Sequence, residues 1–482
     1  MESINPATGE SLERYDEHTE AELDEALDAA VEAFPAWAGR PIQDRCRVLS
    51  RAAELLSERA DEYGRLMTRE MGKPVGAARA EAEKCAWVCD YYAERAPDHL
   101  ADEVIGTAPD ARTLVSYEPL GPVLAVMPWN FPFWQALRFI APALAAGNVG
   151  LLKHASNVPG CALAIEEVLR DAGVPEGVFQ SLLIGSDRVD DVIADDRVRA
   201  VTITGSEGAG RAVGERAGSE LKRSVLELGG SDPFVVLDDA PVEATAERAA
   251  DARMKNNGQS CIAAKRFIVH TEVYDPFVDA FRRELDALTV GDPIDEDVDV
   301  GPQAREDLME DLHDQVERSV EAGATLALGG EPLDREGPYY PPTLLTDVPR
   351  DAAAATEETF GPVAAVFEVD SGAEALALAN DTDFGLGASV WTGDLERGER
   401  FARRFEAGCC FVNEPVKSDP RLPFGGVKDS GYGRELSRHG VREFVNRKTI
   451  WVQHGFGDEE TLGADEGIFG ADEGTRDRGG ME

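Results

Sequence analysis

The chain has 482 residues, 43% of them hydrophobic, which is enough for more than one ordered core. Asp and Glu outnumber Lys and Arg by 92 to 48, a formal net charge of -44. The acids are spread along the chain, as in Glu20-Ala-Glu-Leu-Asp-Glu25 and Asp292–Asp299, so nucleic acid and anionic membrane are excluded as expected partners. Such a surface repels itself at low ionic strength and calls for dense counterions. A cytoplasm holding molar salt is the expected setting, with an acidic but otherwise ordinary protein as the alternative. Met1–Tyr15 is polar and mixed, and no run approaches the ~18 apolar residues of a membrane span. The 7 Cys lack a framework spacing, so reduced thiols in the cytoplasm are expected. Cys85 and Cys89 stand at helical spacing, but no further Cys or His motif completes a metal site. Core packing is the expected role of that pair and of Cys409-Cys410.

In chain order, 19–37 and 43–71 have the apolar spacing of amphipathic helices, with Pro35 and Pro41 marking the break between them. Residues 77–100 form a third predicted helix. Strands and helices then alternate: strand 123–127, helix 133–145, strand 149–152, helix 159–171, strand 179–183, helix 187–194, strand 200–204 and a helix from about Ala209. That alternation predicts a parallel sheet covered on both faces, with ligands at the carboxyl ends of its strands. A second α/β run begins at Phe234-Val-Val-Leu237 and includes strands 266–269 and 363–367, so a boundary is predicted near Gly229-Gly230. Thr113–Tyr117 and Thr449–Gln453 are strand-like. Residues 455–482 are Gly-rich and acidic, with an imperfect Gly-Ala-Asp-Glu-Gly repeat, and are expected to be disordered.

Three local motifs carry chemistry. Asn257-Gly-Gln-Ser-Cys261 places a Cys after a Gly turn, where a nucleophile would be exposed; taken alone, a Cys is more often a small core residue. Leu226-Glu-Leu-Gly-Gly230 holds a carboxylate in an apolar stretch, which raises its pKa and suits a proton acceptor; a strand-end ion pair is the other reading of Glu227. Met127-Pro-Trp-Asn130 follows a strand and presents an amide donor suited to an oxyanion, or an Asn completing a turn.

With these three motifs in this order, the chain resembles the aldehyde dehydrogenase superfamily from Asn5-Pro-Ala-Thr-Gly9 to about Val452. Glu357-Glu-Thr-Phe-Gly-Pro362, Pro423-Phe-Gly-Gly-Val-Lys428 and Ser430-Gly-Tyr-Gly433 add to the resemblance. The resemblance implies an α/β subunit with a Rossmann-like dinucleotide-binding domain (1–99 and 121–228), a catalytic domain (229–428) and a β oligomerisation arm (100–120 and 429–454). It also implies a homodimer or homotetramer acting on a small-molecule aldehyde. Cys261 would form a thiohemiacetal and then a thioester. Asn130 and the Cys261 N–H would hold the oxyanion, a contact worth about 3–4 kcal/mol. Glu227 would activate the hydrolytic water. Lys153, Gly205, Ser206, Glu358, Phe360 and Trp129 would bind the dinucleotide, its pyrophosphate at a helix N-terminus.

Many NAD-preferring members carry Glu at the position of Ser156. A hydroxyl beside Lys153 can accept the NADP 2′-phosphate, so NADP is expected ahead of NAD. His154 replaces a common Pro and complicates that expectation. Within the superfamily, the stretches around Lys153, Glu227 and Cys261 are most similar to bacterial-type succinate-semialdehyde dehydrogenases. That similarity implies a carboxylate pocket containing Arg138 and Ser418. Lys255 stands where some members have Arg and would loosen selectivity, so glutarate semialdehyde and unbranched aldehydes are the alternative substrates. A non-catalytic protein with the same fold would be expected to have lost one or more of these groups.

Overall fold

The computed structural model describes residues 1–107 and 111–454; the predicted disorder of 455–482 falls outside them. Parallel strands with both faces covered read as continuous apolar runs. Ala200–Thr204 and Pro233–Val236, buried at every position, are such runs.

Six strands form the first sheet, in the order Gly431–Tyr432, Arg223–Glu227, Ala200–Thr204, Pro122–Met127, Val149–His154, Phe179–Ser181. All neighbours are parallel except the first pair. The chain order reverses direction at Pro122–Met127, so the carboxyl end of that strand, leading into Trp129-Asn130, opens at a topological switch point. The second sheet has seven strands: Thr325–Leu328, Thr343–Thr346, Val363–Val369, Arg266–His270, Pro233–Val236, Gly387–Trp391 and Cys409–Val412. Its order reverses at Pro233–Val236, just after Glu227-Leu-Gly-Gly230. Separate apolar clusters fill the two faces of this sheet, one around Ile268 and Val390, the other around Phe234, Phe267 and Phe281. Each fully buried Ile, Val or Phe there contributes about 1.5–3 kcal/mol.

Both sheets belong to one compact unit, residues 1–100 and 118–446, rather than to units divided near Gly229. Of the described residues, 101–107, 111–117 and 447–454 form a second unit, whose sheet has the order Val445–Gln453, Ala111–Pro119, Glu103–Thr107. The expected arm boundary at 429 is therefore too early. Gly431 and Tyr432 pair antiparallel with Glu227 and Leu226, which ties 429–446 to the first sheet.

Other boundaries also moved. Pro35 lies inside the helix Glu20–Ala38, which begins at a Thr19–Glu22 capping box, so Pro41 alone stands at the break. Segment 43–71 is two helices, Ile42–Glu58 and Ala60–Met71, separated at Arg59. Cys85 and Cys89 pack in the core along Val75–His99. Cys409 is buried but Cys410 is exposed, because successive strand side chains face opposite ways. Among the described residues no helix is long and apolar enough to cross a membrane.

Candidate active site

The segment that presents Cys261 uses backbone conformations most residues avoid. After the helix Val242–Met254, Asn256 (φ 57°), Asn257 (φ 58°) and Gly258 (φ 74°) are left-handed in succession. Asn tolerates this region better than most side chains. Gly258 is required for a further reason: a Cβ there would lie 2.2 Å from the Gly361 carbonyl oxygen.

Buried polar groups fix the turn. The Asn257 amide donates to the Gly72 and Pro302 carbonyls at 2.9 Å each and accepts from the Gly301 N–H at 2.9 Å. The Arg253 guanidinium donates to the carbonyls of Ala264 (2.9 Å), Gly258 (3.0 Å), Thr359 (3.1 Å) and Gly361. Lys265 donates to the carbonyls of Ser260 (3.0 Å), Cys261 (2.9 Å) and Ala263 (3.2 Å) and pairs with Glu358 at 3.2 Å. Glu358 in turn accepts from the Gly230 N–H at 3.1 Å.

Two cavities meet at Cys261, the residue that borders both. The first, about 250 Å³, is walled by Trp129, Asn130, Gly205, Ser206, Glu358 and Phe360, all named from the sequence. Trp129 and Phe360 meet edge to face, 5.8 Å between ring centres. Asn130 donates to the Gln259 carbonyl at 3.1 Å, leaving its second amide hydrogen for another acceptor. The Cys261 backbone N–H has no acceptor among the described residues. Ser206 caps the helix Glu207–Ser219, so a helix N-terminus with free N–H groups abuts this cavity. A Cβ on Gly205 would meet nothing nearer than 3.8 Å, so the backbone there is open to a ligand. These donors and the aromatic wall fit a dinucleotide's pyrophosphate and ring.

Lys153 and Ser156 border neither cavity. Lys153 is buried on the strand Val149–His154, which runs two residues further than predicted, and Ser156 is exposed in the turn before Pro159–Asp171. Burial lowers the Lys153 pKa, against the pull of Glu17 and Asp187. His154 faces inward, its Nε2 paired with the Pro132 carbonyl at 2.9 Å and its Nδ1 accepting from the Ala155 N–H at 2.8 Å. Burial holds its pKa down to about 4, so the ring is neutral. It brings no charge to the Lys153–Ser156 edge.

The second cavity, about 230 Å³, is lined by Arg138, Lys255 and Ser418, as expected from the sequence, and also by Lys73 and Lys84. Lys73 is committed to a buried ion pair with Glu81, whose other oxygen accepts from the Phe133 and Trp134 N–H groups at 2.9 Å each. Glu81 thus caps the helix Pro132–Ala146, and this explains how a helix buried at every position is anchored. Lys255 keeps solvent-accessible surface in the cleft while the surrounding protein lowers its pKa.

Arg138 has a partner that sequence reading missed. Its Nε forms a buried ion pair with Glu435, its Nη2 donates to Thr204 Oγ1 at 3.2 Å, and its guanidinium lies 4.8 Å from the Phe424 ring centre. Glu227 is withdrawn beside this pair and lines neither cavity; among the described residues both its oxygens lack hydrogen-bond partners. Burial first, and then Glu435, push the Glu227 pKa well above the carboxylate range, opposed by Arg138. Burial also raises Glu435. One guanidinium beside two buried carboxyls favours retention of a proton by the pair. Burial pushes the Cys261 thiol up to about 12, although Lys265 and Arg138 pull the other way.

A thiol on a left-handed turn, bordered by two cavities near the switch points of both sheets, marks the candidate active site. The chain belongs to the aldehyde dehydrogenase family, whose model matches residues 1–450. It is 53% identical over 450 residues to a protein of Synechocystis sp. described as a "probable succinate-semialdehyde dehydrogenase (NADP+)", covering 93% of this chain and 99% of the relative. It is 52% identical over 452 residues to "succinate-semialdehyde dehydrogenase (NADP+) 1" of Mycobacterium tuberculosis, again covering 93% and 99%. The crystal structure of succinic semialdehyde dehydrogenase from Streptococcus pyogenes with NADP+ superposes with a TM-score of 0.92 at 37% identity, covering 94% of this chain and 99% of that one.

Proposed function

We propose that this aldehyde dehydrogenase oxidises succinate semialdehyde to succinate with NADP as hydride acceptor. The observation that carries the reading is the meeting of two cavities at the Cys261 thiol, one fitted to a dinucleotide and the other lined with cations in a chain of net charge -44. The relatives named above support the substrate and the cofactor. Ser156, where a carboxylate would repel a 2′-phosphate, supports NADP over NAD.

A thiol whose pKa is near 12 must lose its proton before it attacks. As sulfur bonds to the aldehyde carbon, the thiol proton passes to a carboxylate, and Glu227 is the residue assigned to receive it. The oxyanion is held by the free hydrogen of the Asn130 amide and by the Cys261 N–H. Lys153, Ser156, Gly205, Ser206, Glu358, Phe360 and Trp129 would hold NADP, which would supply the hydride acceptor needed to take the thiohemiacetal to a thioester. Once it has released the thiol proton to solvent, Glu227 takes a proton from water as the water oxygen bonds to the acyl carbon, and the thiolate leaves. Since Glu227 lines neither cavity at rest, its side chain must turn away from Arg138 and Glu435 to do this.

Assembly into a homodimer or homotetramer would use the arm sheet, which exposes Val104, Ile105 and Trp451. The acidic surface accords with a salt-rich cytoplasm. The test is kcat/KM in molar KCl for succinate semialdehyde against butanal, with NADP and with NAD. A strong preference for the semialdehyde is expected, and equal rates would reduce the reading to a general aliphatic aldehyde dehydrogenase. Glu227→Gln should release one equivalent of reduced cofactor and then stall as acyl-enzyme; normal turnover would remove Glu227 from its role.

A further inference from the structure

The cations around the second cavity differ in what they already hold. Lys73 is spent on Glu81, and Arg138 on Glu435 and Thr204, beside Glu227. Lys84 and Lys255 have no carboxylate within ion-pair distance among the described residues, although acids outnumber bases 92 to 48 in the whole chain. Lys84 is also held in place. It sits on the helix Val75–His99, its Nζ 4.0 Å from the centre of the Trp134 ring, and it donates to Ser418 Oγ at 2.7 Å. A hydroxyl that accepts from an ammonium keeps its own proton to donate, so Lys84 and Ser418 together present charge-assisted donors to one anion.

We propose that Lys84, acting with Ser418 and Lys255 and beside Arg138, which also faces the Glu227–Glu435 pair, binds the distal carboxylate of the substrate. The inference rests on the semialdehyde reading above and names the residue that sets its specificity. Burial, with Lys255 and Arg138 nearby, holds the Lys84 pKa down to about 7, so the site is short of negative charge. A carboxylate supplies that charge; an unbranched aldehyde cannot. In such a pocket a neutral tail also leaves the ammonium unpaired, which adds to discrimination.

The test compares the full-length protein with Lys84→Met and Lys84→Arg, using NADP with succinate semialdehyde and with butanal. Lys84→Met, apolar and of similar length, should lower semialdehyde kcat/KM by about 10- to 100-fold, mainly through KM, as expected for one charged hydrogen bond. Butanal kcat/KM should not fall and should rise, because no ammonium is left unpaired beside its neutral tail, and Lys84→Arg should restore much of the semialdehyde rate. Succinate should inhibit butanal oxidation less well in Lys84→Met than in the wild type. Equal losses on both aldehydes would mark a structural role and overturn the proposal. A wild-type preference that survives Lys84→Met would overturn it as well. A wild-type enzyme with no preference would instead overturn the substrate reading on which it rests.

Discussion

Lys265→Met separates the placement of the nucleophile from its chemistry. The Lys265 side chain is completely buried and holds three successive parts of the turn through the Ser260, Cys261 and Ala263 carbonyls, while pairing with Glu358. Met has nearly the same length but no donor, so the carbonyls and the carboxylate lose their partner without a large cavity forming. A hydrogen bond to a charged group contributes about 1.5–3 kcal/mol, but bonds sharing one ammonium do not add. Breaking a buried ion pair from one side costs about 3–5 kcal/mol, and we expect a loss in that range. For a domain this large, that corresponds to a fall in Tm of about 5–15 °C.

The thiol reports the electrostatic part of the same change. Lys265 favours the thiolate, so its removal raises the Cys261 pKa further and shrinks the thiolate fraction at any fixed pH. Alkylation of Cys261 by iodoacetamide, followed by mass spectrometry between pH 7 and pH 10, should be slower in Lys265→Met at every pH. An unchanged Tm together with an unchanged alkylation rate would refute the account of Lys265 as a clamp on the turn.

Asn130→Ala should lower kcat by about 10²- to 10³-fold with little change in semialdehyde KM, measured by steady-state kinetics, because the lost donor acts on the developing oxyanion. Ser156→Glu should shift the ratio of kcat/KM for NADP over NAD by about 10- to 100-fold toward NAD, the size of one like-charge clash. Thermal midpoints in a KCl series should rise as the Debye length falls from about 10 Å at 0.1 M to about 3 Å at 1 M; a flat series would refute the salt reading of the acidic surface.

Four strands of the first sheet were legible from the alternation of mostly apolar runs with helices, which also put Trp129-Asn130 at the carboxyl end of one; Arg223–Glu227, and the strand order that makes that end a switch point, were not. The break at Arg59 was not legible, since Ser57-Glu-Arg-Ala60 contains neither Gly nor Pro and the helical spacing continues through it. The candidate residues around the cleft beside Cys261 lay in recognisable local motifs. Those that act across the fold did not. Glu81 caps a helix more than 50 residues away, and Lys84 meets Ser418 across 334 positions. A Lys on an amphipathic helix is otherwise read as a solvated face. Glu435 was assigned to the arm because the family resemblance set that boundary at 429; only the pairing of Gly431-Tyr432 with Glu227-Leu226 brings the carboxylate to Arg138.

The sharing of a single residue by two cavities also affects how inhibitors should behave. A small dicarboxylate has its charge partners on one side of the sulfur, while a dinucleotide finds its own on the other. The two can occupy the protein together, so succinate should compete with aldehyde but not with NADP. An electrophile carrying a carboxylate tail would approach the sulfur from the lysine side. Once attached there, it would leave the dinucleotide cleft free to fill.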